Sequence, residues 1–300
     1  MEMAMRTSHS AGTAAGPAKW ARFPHRTPAY DFSGSKLARE WARLHGGDCE
    51  PFPDSERVAR LGKRARSVAQ CIDAEGGPDA FSQGLQKAWR AFHAGDFGTA
   101  VELGSAHGPL GAAAANKAAG VYATYLESSA SRATAILEAA MRRGEDAVKA
   151  LPDEPNAHYM LAFVMGRYSQ RISIVQALAA GIAGRVRTHL ERTLKLEPRH
   201  AECHVAFGLY HAEIVAKLGA LAARLTYGAS ENAAVEHFEK ALELAPEAAI
   251  ARVEYANALL LLDERAQRDR ACKLFKAAAL VKPADAMERL DVERAKRGLG

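Results

Sequence analysis

Cysteine is scarce and scattered. Cys49, Cys71, Cys203 and Cys272 form no pair with CxxC spacing, so neither a zinc knuckle nor a dithiol redox motif is indicated, and dispersed thiols fit a reducing compartment. Aromatic residues make up 7% of the chain, and no long alternating β-branched run occurs. That argues against a sheet and, with the abundance of Ala, Leu, Glu and Arg, for an all-α chain. No apolar run reaches the roughly 20 residues that span a bilayer; the uncharged stretch Ile172 to Gly184 falls short. A signal-peptide hydrophobic region and a lipoprotein cysteine are both missing from the N-terminus. Arg6, Lys19, Arg22 and Arg26 against a lone Glu2 give it a superficially transit-like balance. No Walker loop, nucleophile elbow or dinucleotide glycine pattern is present. Asp96-Phe97-Gly98 mimics a kinase metal motif but has no HRD sequence or phosphate loop beside it, and reads as a turn. The expectation is therefore a non-catalytic protein without cofactor or metal. The net charge of +5 and pI of about 9.0 come from basic residues interleaved with acids, as in Asp263 to Arg270, which describes a solvated face and not a nucleic-acid surface.

What is present is helical periodicity. Residues 1–30, rich in Ala, Ser, Thr, Gly and Pro, read as a disordered leader. Residues 31–135 read as an N-terminal helical region. It begins with a short helix over Lys36 to Leu44 and a single helix from Ser55, as N-cap, to Asp73, and Gly76-Gly77-Pro78 ends the latter. Phe81, Leu85, Ala88, Trp89 and Phe92 then mark one helix face. Ala112–Glu127 and Ala130–Leu151 follow as a helix pair that Pro152 closes. Residues 136–300 are visibly periodic and end in a charged helix, Ala284 to Lys296, suited to a solubilising cap.

The clearest periodicity lies between Ala234 and Pro283. Ala234/Phe238/Ala241/Pro246 and Ala271/Phe275/Ala278/Pro283 share one ruler, Ala-x3-Phe-x2-Ala-x4-Pro. Small residues allow close helix approach, and the phenylalanine fills the wedge between helices. These residues resemble the tetratricopeptide repeat family, in which antiparallel helix pairs of 34 residues stack into a right-handed superhelix. Ala140/Gly144/Ala147/Pro152 and Val186/Leu190/Thr193/Pro198 are degenerate versions. First-helix packing pairs recur as Leu161-Ala162, Phe207-Gly208 and Tyr255-Ala256. The resemblance implies an α-solenoid of antiparallel helix pairs. The closing prolines stand wider apart than 34 residues, which places insertions at Tyr168 to Gly184 and Lys217 to Ser230. Both are apolar and rich in small residues, and such surface packs on the core, on a partner or around a ligand.

His200, Cys203, His204 and His211 invite two readings. Three of them share one helix face, as in a metal site. Yet His158 and His204 each stand six residues after a closing proline, as repeated packing residues would. The resemblance places the interaction surface on the concave side of the first helices. There it names Asn156, Tyr159, Phe163 and Arg167, then Glu202, Val205, Leu209 and Glu213, then Ile250, Val253, Asn257 and Leu260. Tyr168, Tyr210 and Tyr227 are expected beside the insertions. The asparagine-and-basic clamp for chaperone tails is echoed by Asn257 alone. The function expected is a cytoplasmic scaffold that binds a protein or peptide partner in this groove. Charge reversal at Arg167 or Glu213 is expected to weaken binding without unfolding. An apolar-ligand carrier, similar to the helical component of tripartite transporters, is the alternative. A microtubule- or organelle-associated adaptor is a third, on resemblance.

Overall fold

The computed structural model describes residues 20–25 and 30–300, and also leaves undescribed the side chains of Ile174 and Leu178. Most of the stretch read as a leader therefore lies outside the described residues. Trp20 and Phe23 within it lie against the core: Trp20 on Tyr122 at 4.4 Å, and Phe23 over Gly95.

Every element among the described residues is a helix. The N-terminal region contains α1 (Lys36–Leu44), α2 (Ser55–Gly62), α3 (Arg66–Ala74), α4 (Pro78–Ala94) and α5 (Phe97–Ala106). The helix expected from Ser55 to Asp73 is two. Asp54, not Ser55, caps α2 through Arg57 N, and Ala65 is extended. Ile72 of α3 folds back over Gly62, where a Cβ would stand 2.9 Å from its Cδ1. Asp96-Phe97-Gly98 is the turn it was read as, with Asp96 capping α5 and Phe97 buried.

From α6 onward the chain stacks antiparallel pairs: α6 (Gly108–Tyr125) with α7 (Ala130–Ala150), α8 (Pro155–Ser169) with α10 (Ile182–Leu196), and α11 (Ala201–Leu218) with α13 (Glu231–Leu244). A fourth pair is the two halves of α14 (Ala249–Ala279). They are separated by a kink where Asp263 leaves helical geometry and accepts Ala266 N. The insertions become the short helices α9 (Ile174–Ala179) and α12 (Ala220–Tyr227), and α15 (Ala286–Arg297) ends the chain. The two insertions are not built alike. Ile214-Val215 continues α11, whereas Ile174-Val175 starts α9 after α8 has stopped at Ser169.

The repeated phenylalanine does what its spacing requires. Phe238 is fully buried, stacks on Tyr255 of α14 at 4.9 Å, and leans on Gly208 of α11, where a Cβ would meet it at 2.8 Å. At the degenerate position Gly144, a Cβ would stand 3.0–3.2 Å from Asn116 and Leu161, so the missing aromatic is matched by closer helices. The histidines six residues after a closing proline also share a structural role. His158 Nε2 bonds Pro152 O and its Nδ1 meets His189 at 3.0 Å; His204 bonds the Pro198 carbonyl and meets His237 at 2.9 Å. Arg252 fills the same slot after Pro246 and donates to its carbonyl.

α5 and α6 meet backbone to backbone at Gly104 and Gly111. A Cβ on Gly111 would fall 2.1 Å from the Gly104 carbonyl oxygen, and backbone cannot move aside as a side chain can. Gly111→Ala is expected to lower stability by about 1–3 kcal/mol. A urea midpoint indistinguishable from wild type would show that the helices part without cost.

Candidate functional site

Four first helices turn one stripe each toward the concave side. α8 presents Tyr159, Phe163 and Arg167, and α11 presents Glu202, Val205, Leu209 and Glu213, at the one-turn spacing that keeps side chains on one face. α6 adds Lys117, Val121 and Tyr125, and the start of α14 adds Ile250 and Glu254. The groove is not open along its length. It is closed at two places by the chain itself.

The first closure is the loop between α1 and α2. Gly47 O accepts Glu202 N at 2.9 Å, and Asn156 Nδ2 donates to Asp48 O at 2.9 Å and Glu50 Oε2 at 2.7 Å. The loop thus takes up the N-terminal ends of α8 and α11. Asp48 reaches inward to Lys117, whose Nζ lies 2.5 Å from Asp48 Oδ2 and 2.9 Å from Glu202 Oε1. Tyr159 Oη donates to Glu202 Oε2 at 3.0 Å, and His45 bonds the other Asp48 oxygen at 2.9 Å. Burial opposes the charge on Lys117, but Asp48 and Glu202 outweigh it and hold the ammonium above its ordinary pKa. Burial likewise opposes the Asp48 carboxylate, yet His45 and Lys117 keep it well below the usual range. For Glu202 burial wins and the pKa rises, while Glu50 is pushed by burial up to about 7.

The second closure is α15. Its Asp285 accepts from His93 of α4 at 2.7 Å, its Asp291 bonds the Tyr125 hydroxyl, and its Arg294 reaches Glu254 at 3.2 Å. Glu254 also receives Arg167 at 2.7 Å and Asn257 at 3.4 Å. Burial would raise the Glu254 carboxyl, but Arg167 and Arg294 hold it down at about 2. Burial drives Asp291 well above the carboxylate range. The C-terminal helix is thus more than a charged cap: Ala286, Leu290, Val292 and Ala295 are buried against the core.

Between the closures lies a cavity of about 250 Å³ with mostly apolar walls. Phe163, Val205, Leu209 and Tyr210 form its floor and sides. The insertions contribute Ile172 and Ala177 from one and Leu218 from the other, and Glu213 and Lys217 stand at its edge. Of the groove residues named from the sequence, Tyr159, Phe163, Arg167, Glu202, Val205, Leu209, Tyr210, Glu213 and Ile250 line this cavity. The others are placed elsewhere. Asn156 holds the Asp48 loop, Val253 is buried among Ala256, Phe275 and Val292, Leu260 packs on that same cluster, and Asn257 supports Glu254. Tyr168 donates to Glu138 of α7, and the Tyr227 carbonyl accepts from Arg187 and Tyr210. Lys117, Tyr125 and Asp291 were missed, because each meets its partner across more than sixty residues of chain. Charge reversal at Arg167 would set a second carboxylate against the buried Glu254 and leave Arg294 to offset both, so it disturbs folding and cannot report on binding alone. Glu213 remains usable.

His200, His204 and His211 do not converge. His200 caps α11 through Cys203 N and bonds Asn156, His204 faces His237, and His211 accepts Ser230 N. No group of three or more His, Cys, Asp or Glu able to hold a metal occurs among the described residues, nor is any helix among them long and apolar enough to cross a membrane.

Stacked helix pairs, the repeated Ala/Phe/Ala/Pro ruler and a concave face lined by first helices define a tetratricopeptide-like α-solenoid. A thermophilic TPR protein of Thermus thermophilus is similar in structure, with a TM-score of 0.52 at 16% identity over 72% of this chain and 99% of that one. The chain belongs to the family described as Regulator of microtubule dynamics protein 1-3, whose model matches residues 112–298, from α6 to the end of α15. No curated protein matches the sequence significantly.

Proposed function

We propose that the protein is an interaction module that receives apolar side chains of a partner segment in the cavity between its two internal closures. One observation supports this most directly. The polar groove positions Asn156, Tyr159, Glu202 and Arg167 are already bonded within the chain, whereas Phe163 and Leu209, both half-buried, border open space. What is left for a partner is apolar contact with Glu213 and Lys217 at the edge, which suits the nonpolar face of a helix or extended peptide. A part in regulating microtubule dynamics, named in the family's description, fits such a module.

Affinity purification of the full chain at native expression, read by mass spectrometry, tests this with Leu209→Trp and Glu213→Lys. Proteins held by the groove are expected to fall at least about tenfold in both variants, a change of about 1.4 kcal/mol, with melting temperatures near wild type. Equal recovery from all three would sink the groove as the contact site. The cavity's enclosure by helices on several sides favours a second reading, an apolar small ligand carried inside. A native mass spectrum heavier than the 32.2 kDa chain by one discrete mass, abolished by Leu209→Trp, would select that reading.

A further inference from the structure

The insertions send some apolar side chains into the cavity and leave others in water. Val175 on α9 and Leu221 and Leu225 on α12 are 71%, 70% and 74% exposed. The α12 pair is not accidental exposure of a loose end. Leu221 and Leu225 stand one turn apart on one side of the helix, while Ala223, on the opposite side, is fully buried and fastens it. Anchoring through Ala223 therefore aims a leucine stripe outward.

Charge on the insertions has one sign. Tyr168 to Gly184 and Lys217 to Ser230 hold Arg171, Lys217 and Arg224 and no acid, and no aspartate or glutamate occurs anywhere from Pro155 to Leu190. Arg224 is exposed beside the leucine stripe. Glu213, one turn before the second insertion, is engaged by Lys217 at 3.3 Å and by Gln170. Both insertions reach the rim of the same cavity, through Ala177 and Leu218.

We infer that α9 and α12 form a docking surface for an anionic lipid bilayer, independently of what occupies the cavity. Val175, Leu221 and Leu225 enter the boundary between headgroups and acyl chains, and Arg224 meets lipid phosphates. Interfacial helices combine such an apolar stripe with flanking cations, and cationic residues near an anionic leaflet add attraction that salt screens. A protein partner is the weaker fit. One valine and a pair of leucines give far less continuous area than the roughly 1,000 Å² of a specific protein interface, whereas insertion into lipid rewards each one separately.

The test is sedimentation of the full chain with phosphatidylcholine vesicles, with and without phosphatidylserine. The protein is expected to sediment with the anionic vesicles only, less as salt rises. The double variant Leu221→Glu/Leu225→Glu should lose at least about tenfold in partitioning with an unchanged melting temperature, and Arg224→Glu should weaken it in the same direction. Failure to sediment with anionic vesicles overturns the inference. So does unchanged partitioning of the leucine variant, and so does retention on immobilised polyglutamate in place of vesicles, which would mark an acidic polypeptide as the occupant.

Discussion

Lys117→Met is expected to destabilise the protein by about 3–5 kcal/mol, the cost of leaving buried charges without a partner. The lysine is 3% exposed and Asp48 is fully buried, so no water replaces the lost ammonium. Methionine fills similar volume, so the loss comes from Asp48 and Glu202 and not from a cavity. The cluster also ties the Asp48 loop to α6 and α11, and the same variant should expose that loop to proteolysis first. Adding Asp48→Asn and Glu202→Gln removes the stranded charges and should recover a good part of the loss. A urea-derived change below about 1 kcal/mol for Lys117→Met would mean that water reaches the cluster and that its geometry does not hold the loop.

Acid is expected to unfold the protein steeply below about pH 4.5 and to do little between pH 7 and 5. Two sets of buried groups act in opposite directions over the upper range. His189, His211 and His237, lowered by burial to about 4, and His200, lowered to about 3, bind protons less readily folded than unfolded. They therefore cost stability as pH falls below about 6.5. Glu50, raised by burial to about 7, with Glu202 and Asp291, also raised by burial, take up protons in the folded state before the unfolded one. They return stability over the same range, until the unfolded carboxyls titrate near 4.5. Below that point Glu254 dominates. Its folded pKa of about 2 is depressed, so its contribution is complete above the unfolded value and is lost as pH falls toward 2, about 3 kcal/mol in all. Asp48 is depressed as well and adds to the loss. Melting temperature against pH should show a plateau and then a drop, and the drop should shrink in Glu254→Gln. A steep decline already between pH 7 and 5 would show that the histidines outweigh the buried acids.

The groove was legible where one helix determines which way a side chain points. Phe163, Val205, Leu209 and Glu213 follow from register on α8 and α11, and they line the cavity as read. Asn156 and Asn257 were read from the same register, but a loop and a terminal helix reach them first. Register says which way a residue faces and is silent about what the rest of the chain puts there. Val253 shows the same limit on α14, where the facing surface is α15 and not the cavity. The break after Gly62 was missed because apolar spacing runs unbroken from Val58 to Ile72, and only the extended backbone at Ala65 reveals it.

By itself the sequence determined the class of object. Helical periodicity, closing prolines and Phe238 and Phe275 at a repeated spacing are local signals, each spent within one helix pair, so the solenoid can be read without knowing how it ends. The insertions stood out for the same reason, as departures from a local ruler. Only the tertiary structure decided that the solenoid shuts on itself. Asp48–Lys117–Glu202 and Arg167–Glu254–Arg294 join residues from distant parts of the chain, and no spacing rule links them. Such pairs exist because burying a charge demands an opposite one nearby in space, wherever along the chain it comes from. That demand turned an expected open groove into a cavity walled by the chain's own loop and last helix.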